Sequence, residues 1–379
     1  PANTSPDMGA YENALGEPLQ QTMYYVSTSG SSSGTGRSDS HMSSIQDAIN
    51  ASSNGDTVLV SAGTYTENIN FNGKNIVVGS LYITTADTSH ISGTVIDGDM
   101  SGPVATFENG ETNDAQLVGL TLRNGWCGIL IEGHGPYLKN LIVRDNGSVY
   151  DGSGLNGSDA SLSFTLDGCV FINNNYSLYV LNMSNINNDD PLRFYHIKNT
   201  KVVDNLPTES AVRCDGENAK IENTLIANNT GHGLGVVNAG IGLDVTNCTI
   251  ANNGNKGIHI LYNNMNASIV NVKNTVLWND GETEFGVNND MPPTIFNVEN
   301  SIVRNGALGF QTLGTTVVNT SNMLDESAQF VSETDFNLSK YSPAIGAGTS
   351  SGAPATDIDG LARPTPANTS PDIGAYESA

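Results

Sequence analysis

Eight segments of the chain share one pattern of apolar and polar positions. The pattern is apolar, polar, Asn or Gly, small or apolar, any residue, apolar, any residue, and then Asn or Asp, and the single departure is Val118 at the polar position of the first segment. The segments are LVGLTLRN (117–124), LKNLIVRD (138–145), LDGCVFIN (166–173), IKNTKVVD (197–204), IENTLIAN (221–228), VTNCTIAN (245–252), VKNTVLWN (272–279) and VENSIVRN (298–305). Their starts are 21 to 31 residues apart. A period of this length is typical of a solenoid whose coils are built from short strands.

Within each segment the pattern predicts two strands separated by a sharp bend. The first position is aliphatic and its neighbour is polar, as expected for a strand with one buried side. The third position is Asn in six segments and Gly in two, residues that readily adopt the left-handed conformation of a sharp bend. Stacked Asn side chains at this position are expected to form a hydrogen-bonded structural ladder. Its members are Asn140, Asn199, Asn223, Asn247, Asn274 and Asn300.

The alternation of apolar positions continues after the bend. Small residues are expected to point inward, followed two positions later by aliphatic ones; they are Thr200, Thr224, Cys248, Thr275 and Ser301, then Val202, Ile226, Ile250, Leu277 and Val303. The Asn or Asp at the eighth position predicts a second turn. A third strand follows, with inward pairs Ile129/Ile131, Leu178/Val180, Val212/Cys214, Leu234/Val236, Ile258/Ile260, Phe285/Val287 and Leu308/Phe310.

These features predict an all-β chain, a right-handed parallel β-helix of about ten coils. An antiparallel sandwich would not explain why the same two bends recur in register. A short helix over 43–52 is expected to cap the first coil, because Ile45, Ala48 and Ile49 have helical spacing. Residues 341–348 and 355–364 interrupt the repeat and are expected to fold over the last coil. The predicted divisions are a tail at 1–22, the β-helix with its N-terminal cap at 23–345, and a C-terminal cap or junction segment at 346–379.

The two ends of the chain carry almost the same sequence. PANTSPDMGAYENA (1–14) recurs as PANTSPDIGAYESA (366–379), with 12 of 14 positions identical. This duplication predicts one period of a tandem array, in which residues 1–14 belong to the C-terminal cap of the preceding unit. We expect them to dock where two units meet, which would join copies of the chain end to end. An imprecise placement of the ends of the repeat unit would explain the extra residues, but it would not explain why their sequence occurs twice.

Composition and charge restrict the partners. The formal net charge is −24, from 39 acidic and 15 basic residues, which disfavours binding to nucleic acid or to an anionic membrane surface. No apolar run approaches the length of a membrane-spanning helix, and the start at Pro1 without a signal-like segment suggests a mature or excised piece. The four cysteines have no metal-type spacing and are expected to be buried and reduced.

Two segments carry a family resemblance. GDTVLVSAGTYTENI (55–69), with the helix before it, resembles the first coils of bacterial pectin-lyase-like β-helix proteins. DIDGLARP…PDIGAYE (357–377) resembles the terminal segment of large secreted bacterial β-helix surface proteins. The resemblance implies an extracellular or cell-surface location in a bacterium. It does not fix an activity, because such folds serve lyases, hydrolases, epimerases, adhesins and structural repeats.

One column of outward positions on the third strand contains candidate chemistry. It reads Leu130, Tyr179, Arg213, Gly235, His259, Gly286 and Gly309. Tyr179, Arg213 and His259 are the candidate catalytic residues of a polysaccharide lyase, which must neutralise a uronate carboxylate and abstract a proton. The same three residues with Asp215 are candidate glycan ligands, and the glycines would leave a shallow groove.

Metal binding is a further expectation. Asp357 and Asp359, in the sequence DIDG, are candidate ligands for Ca²⁺ in the C-terminal segment. Asp97-Gly-Asp99 and Asp189-Asp190 are weaker fragments of the same kind.

Two functions are therefore open. The first is an extracellular structural or adhesive tandem-repeat module, forming a rigid acidic rod or fibre, with glycan contact. The alternative is a polysaccharide lyase or epimerase acting on an acidic polysaccharide. The tandem period favours the first, and the acidic surface argues against a polyanionic substrate.

Overall fold

The computed structural model of the chain describes residues 22–147, 153–175, 178–180, 194–262, 268–288, 293–313 and 315–378. Parallel strands dominate, and the molecule is a right-handed parallel β-helix, as predicted. The strands are Met23–Ser31 (β1), Thr57–Val60 (β2), Gly63–Thr66 (β3), Ile69–Asn70 (β4), Val77–Ser80 (β5), Thr94–Asp97 (β6), Pro103–Phe107 (β7), Gln116–Val118 (β8), Thr121–Arg123 (β9), Cys127–Lys139 (β10), Ile142–Arg144 (β11), Ser153–Asp167 (β12), Val170–Ile172 (β13), Leu178–Val180 (β14), Phe194–Lys198 (β15), Lys201–Val203 (β16), Ser210–Glu222 (β17), Leu225–Ala227 (β18), His232–Thr246 (β19), Thr249–Ala251 (β20), Ile258–Tyr262 (β21), Ser268–Lys273 (β22), Val276–Trp278 (β23), Phe285–Val287 (β24), Thr294–Glu299 (β25), Ile302–Val303 (β26) and Val317–Ser321 (β27). The helices are Ile45–Ala51 (α1), Tyr82–Thr85 (α2) and Ser89–Gly93 (α3), with a 3₁₀ helix at Gly306–Gly309.

The strands form three faces around one core. The first face begins with β1, β2, β5 and β8 and ends with β25 and β27. The second face is a ten-stranded sheet whose neighbours follow chain order from β3 to β26. The third face begins with β4 and β7 and ends with β21 and β24. The long strands β10, β12, β17 and β19 bend from the third face into the first.

The predicted register of the first face is confirmed at every repeat. Consecutive first positions pair along one column, and each is at most 2% exposed: Leu117, Leu138, Leu166, Ile197, Ile221, Val245, Val272 and Val298. The predicted inward residues after the bend, from Thr200 to Val303, are also buried. This stacked aliphatic core is continuous along the solenoid.

The first bend has the predicted conformation. All six predicted Asn residues have φ between 44° and 51°, and Gly119 and Gly168 have φ of 66° and 69°. Their side chains form a ladder only in parts, since Asn223 donates to Asn199 Oδ1 at 3.2 Å and Asn274 donates to Asn247 Oδ1 at 3.2 Å.

A continuous amide ladder lies one residue beyond the eighth position in five coils, and its last member, Asn279, stands at the eighth position itself. Its members are Asn146, Asn174, Asn205, Asn229, Asn253 and Asn279, all at most 2% exposed. In each step the side-chain Nδ2 and the backbone N–H both donate to Oδ1 of the next member, at 2.8 to 3.2 Å. Nδ2 also donates to a strand carbonyl in the preceding coil, for example Asn229 to Val202 at 3.0 Å. The buried carboxylate of Glu284 accepts from Asn279 and ends the ladder.

At the N-terminal end, α1 buries Ile45, Ala48 and Ile49 in the core. The outer edge of β1 is partly covered, because Tyr25 N–H donates to Gly36 O at 2.8 Å.

The expectation that the C-terminal segment folds over the last coil is wrong for most of its length, although Asn300 in the last coil donates to Ala347 O at 3.5 Å. Residues 325–378 instead run back along the outside of the second face. Ile373 lies in one apolar cluster with Val276 and Ile302, and Ile358 and Tyr376 lie in another with Leu225. The segment also takes hydrogen bonds from the first bend, since Asn274 Nδ2 donates to Thr349 O at 2.8 Å.

The expectation that Leu308 points inward is also wrong. It lies in the 3₁₀ helix and is 80% exposed. The 3₁₀ helix takes up residues 306–309, so the strand-like pairing begins only after it. Phe310 rather than Leu308 therefore pairs with Phe285.

Candidate functional site

The predicted column on the third face has the predicted order. Strand pairing places Tyr179 beside Arg213, Arg213 beside Gly235, Gly235 beside His259, and His259 beside Gly286. Asn156, which the sequence pattern did not include, lies between Leu130 and Tyr179. Gly309 does not continue the column. Phe310 pairs with Phe285, so Gly309 does not lie beside Gly286. The backbone of Tyr179 and Asp215 is described, whereas their side chains lie outside the described part of the structure.

Arg213 is the cation at the centre of the column. Its side chain is 13% exposed, and Nη1 donates to Glu209 Oε2 at 3.0 Å. Glu209 is itself 43% exposed, so the ion pair is accessible from one side. A guanidinium held in this way can bind a carboxylate with two parallel hydrogen bonds.

His259 forms a buried pair with His232, a residue that the sequence analysis did not single out. His259 Nδ1 and His232 Nε2 are 2.8 Å apart, and the two residues are 7% and 8% exposed. The Lys256 backbone N–H donates to His232 Nδ1 at 3.2 Å. Neutral His232 therefore carries its proton on Nε2 and donates it to His259 Nδ1, which leaves the proton of His259 on Nε2.

Both imidazoles favour the neutral form. Burial lowers the pKa of His232 to about 4, and the neighbouring His259 and Lys256 add to the effect. Burial also lowers the pKa of His259, and Lys256 contributes, while a hydrogen bond with Asn288 opposes the shift. In this tautomer His259 presents an N–H donor and no free lone pair, so the arrangement does not support His259 as a general base.

The expected groove above the glycines is wrong. A Cβ on Gly235 would lie 2.3 Å from Ser210 Oγ and 2.9 Å from Leu261 Cδ1. A Cβ on Gly286 would lie 2.4 Å from Lys256 Cδ and 3.0 Å from His259 Cδ2. Neighbouring side chains therefore fill both spaces. Asn156, Tyr179 and Arg213 precede these two glycines in the column.

The candidate metal residues lie in a network of backbone donors. Asp357 is 3% exposed; Oδ1 accepts from the N–H groups of Asp359 and Leu361, and Oδ2 accepts from that of Glu377. Asp359 Oδ1 accepts from Lys201 Nζ at 3.0 Å. Among the described residues, no group of three or more His, Cys, Asp or Glu side chains is arranged to hold a metal ion.

Of the two weaker acidic fragments, the structure describes only Asp97-Gly-Asp99. Asp97 binds Arg123 through Oδ2 at 2.8 Å, and its Oδ1 accepts from the Asp99 N–H. Asp189 and Asp190 lie outside the described residues.

The cysteines offer no nucleophile among the described side chains. Cys127, Cys169 and Cys248 are free thiols with no exposed surface, as predicted. Burial raises their pKa to about 11, 12 and 12. The side chain of Cys214 lies outside the described part.

No protein-family model and no curated protein matches this chain. Among solved structures, pectate lyase Pel9A superposes with a TM-score of 0.57 at 19% identity, over 94% of this chain and 96% of its own. The A-module of mannuronan C-5 epimerase AlgE4 of Azotobacter vinelandii has a TM-score of 0.45 at 15% identity, over 74% and 91%. The catalytic unit of a GH87 α-1,3-glucanase of Streptomyces thermodiastaticus has 0.45 at 13% identity, over 82% and 70%. The chain thus has the pectin-lyase-like parallel β-helix fold. Among the described residues, no helix has the length and apolar character needed to cross a membrane.

Proposed function

We propose that this chain acts on an acidic polysaccharide, as a lyase or an epimerase, at the Asn156–Tyr179–Arg213 end of the column. The observation that carries the proposal is the pairing of Tyr179 with Arg213 on one outer face. The similarity to pectate lyase Pel9A over nearly the whole length of both chains supports the same class of substrate. The location that fits this substrate is outside the cell.

Arg213 is the group that binds the uronate carboxylate in this proposal. A cation beside that carboxylate makes the hydrogen on the adjacent carbon more acidic, because it stabilises the enolate-like charge that develops. The net charge of −24 repels a polyanion over most of the surface. A local cation is therefore needed, and Arg213 is largely buried and oriented by Glu209.

Tyr179 is the group that takes the proton. A tyrosine hydroxyl is one of the groups that can act as a base in proton abstraction, and strand pairing places the backbone of Tyr179 beside that of Arg213. In a lyase the base removes the proton at C5, the electron pair forms the C4–C5 double bond, and the glycosidic oxygen leaves C4 and takes a proton from water. In an epimerase a proton returns to C5 from the opposite side. His259 serves as a hydrogen-bond donor, since its pair with His232 occupies the other nitrogen.

The experiment uses polygalacturonate and alginate, with a neutral xylan as control polymer. Ultraviolet absorbance detects unsaturated products, and NMR in deuterated water detects exchange at C5 even where no bond is cleaved. We expect Tyr179→Phe to lower kcat by ~10²–10⁴-fold and Arg213→Ala to remove both binding and turnover. Lys220→Ala, which removes a cation from the first face, should leave the activity unchanged. Absence of binding, exchange and product on both uronate polymers would exclude the proposal.

The second candidate is a structural or adhesive module in an extracellular rod, and the duplication of residues 1–14 favours it. In that case glycan contact, or Ca²⁺ held near Asp357 and Asp359, would serve adhesion. Adding Ca²⁺ or a chelator to the assays above separates the candidates: a change in association without any turnover supports the rod.

A further inference from the structure

The outer side of the second face carries a site that holds residues 366–378. We call it the cradle; its contacts come from Lys201, Thr249, Asn274, Val276, Ile302, Ala344, Gly346, Asp357 and Arg363. In two of these contacts a backbone N–H of the segment donates to the solenoid. Ala375 N–H donates to Thr249 Oγ1 at 3.0 Å, and Gly374 N–H donates to Asn274 O at 2.8 Å.

A buried ion pair joins the segment to the cradle. Arg363 and Glu377 are 3.0 Å apart, and neither side chain is exposed. Arg363 also donates to Asp372 O at 3.1 Å and to the carbonyls of Gly374 and Ala375 at 3.3 Å. A buried guanidinium selects a segment with a carboxylate at the position of Glu377, because a segment without one would leave the charge unpaired.

Further contacts hold side chains between residues 372 and 376, whereas residues 366–370 are exposed. Asp372 Oδ1 accepts from Gly346 N–H at 2.7 Å. Ile373 has no exposed surface. Lys201 Nζ lies 5.5 Å from the ring centroid of Tyr376. Residues 372–377 are thus held by several specific contacts.

Residues 1–14 retain almost every one of these groups. Asp7, Gly9, Ala10, Tyr11 and Glu12 match Asp372, Gly374, Ala375, Tyr376 and Glu377. Of the two differences, Met8 replaces Ile373 and Asn13 replaces Ser378. A swap between aliphatic side chains of similar volume costs less than about 1.5 kcal/mol. The chain therefore contains two copies of the sequence that the cradle holds.

We propose that the cradle of one copy accepts residues 1–14 of a second copy in place of its own residues 366–378. Copies are then linked by segment exchange, and each donates its N-terminal segment to the next. The tethered C-terminal segment has an effective concentration in the millimolar range, so exchange becomes dominant when that segment is weakened. The covered edge of β1 fits a link through this segment rather than through continued strand pairing. The inference does not rest on any action on a polysaccharide.

The test weakens the C-terminal segment of the full chain and leaves residues 1–14 intact. Gly374 has φ of 116°, and a Cβ there would lie 2.9 Å from Thr249 Oγ1, so Gly374→Val should loosen the segment. The matched variants are Gly9→Val and the double variant. By light scattering after size exclusion, we expect the wild type and Gly9→Val to be mainly monomeric. Gly374→Val should form concentration-dependent oligomers, and the double variant should not.

Two further measurements decide the remaining outcomes. A labelled peptide of residues 1–14 should bind folded Gly374→Val in fluorescence anisotropy, at least tenfold more tightly than the same peptide with Gly9→Val. If Gly374→Val does not fold, Ile373→Ala with its partner Met8→Ala replaces the pair. If the variant with the weakened C-terminal segment is folded and monomeric and does not bind the peptide, the proposal is overturned. Equal association of the single and double variants would also overturn it, since exposed apolar surface would then be the cause.

Discussion

Replacing Asn229 with Ala would interrupt the inner amide ladder at its centre. The side chain of Asn229 makes five hydrogen bonds in a site that is 2% exposed. Its Oδ1 accepts from the backbone N–H and Nδ2 of Asn205, both at 3.0 Å. Its Nδ2 donates to Val202 O, Ala227 O and Asn253 Oδ1 at 3.0, 3.0 and 2.9 Å.

The expected loss of stability depends on which hydrogen bonds the partners of Asn229 retain. Asn205 Nδ2 retains its bonds to Phe171 O and Val203 O, but the Asn205 backbone N–H loses its acceptor. One orphaned buried donor costs about 1–3 kcal/mol, and each of the other four bonds contributes about 0.5–1.5 kcal/mol. Since four partners keep other contacts or shift toward them, we expect a total of about 3–5 kcal/mol.

The assay is equilibrium unfolding in urea followed by circular dichroism, with hydrogen exchange at the Asn205 amide as a local readout. Asn228→Gly is the matched control, because the Asn228 side chain reaches only Glu333 O at 3.5 Å and its φ of 56° suits glycine. The control should change stability by less than about 0.5 kcal/mol. Equal losses in both variants, or an Asn205 amide that stays protected in Asn229→Ala, would refute the reasoning.

Three other predictions concern buried groups. Arg363→Met should cost about 3–5 kcal/mol, because it leaves Glu377 buried without its partner; rapid proteolysis within residues 366–378 would show this, and unchanged resistance would contradict it. Burial keeps the pKa of His232 near 4 in the folded chain, below the ordinary 6.5, so the unfolded chain binds more protons between these values. Stability should therefore be complete above pH 6.5 and fall as the pH is lowered toward about 4. Thermal midpoints across this range should show a smaller slope for His232→Gln, and an equal slope would exclude His232 as the cause. Cys127, Cys169 and Cys248 should resist thiol reagents until urea unfolds the chain, since burial removes them from solvent and raises the pKa of each thiol.

The sequence predicted the parts of the fold that repeat. Leu138, Ile221 and Val272 could be placed in one column because the same local pattern recurs around each. The inner ladder was missed although it is visible as Asn or Asp followed by Asn, as in Asn228-Asn229. The eight-position pattern ended one residue too early, and two adjacent amides gave no sign of which was buried.

Features that depend on distant contacts could not be predicted in this way. The position of the C-terminal segment depends on an apolar cluster that contains Ile373 and Val276, almost a hundred residues apart in sequence. The order of Tyr179, Arg213 and His259 followed from the period alone. The filling of space above Gly286 did not, because it depends on the direction of the Lys256 side chain.

The orientation of the inner amides gives the molecule a direction of growth. Each Asn from Asn146 to Asn253 donates toward the later coil, so every new member needs an acceptor ahead of it. Glu284 accepts from Asn279 and, when ionised, has no proton to pass on. An inserted coil could join anywhere before this carboxylate if it carried an amide at the matching position. Beyond Glu284, the buried backbone donors and acceptors at the turns of the solenoid would need other hydrogen-bond partners.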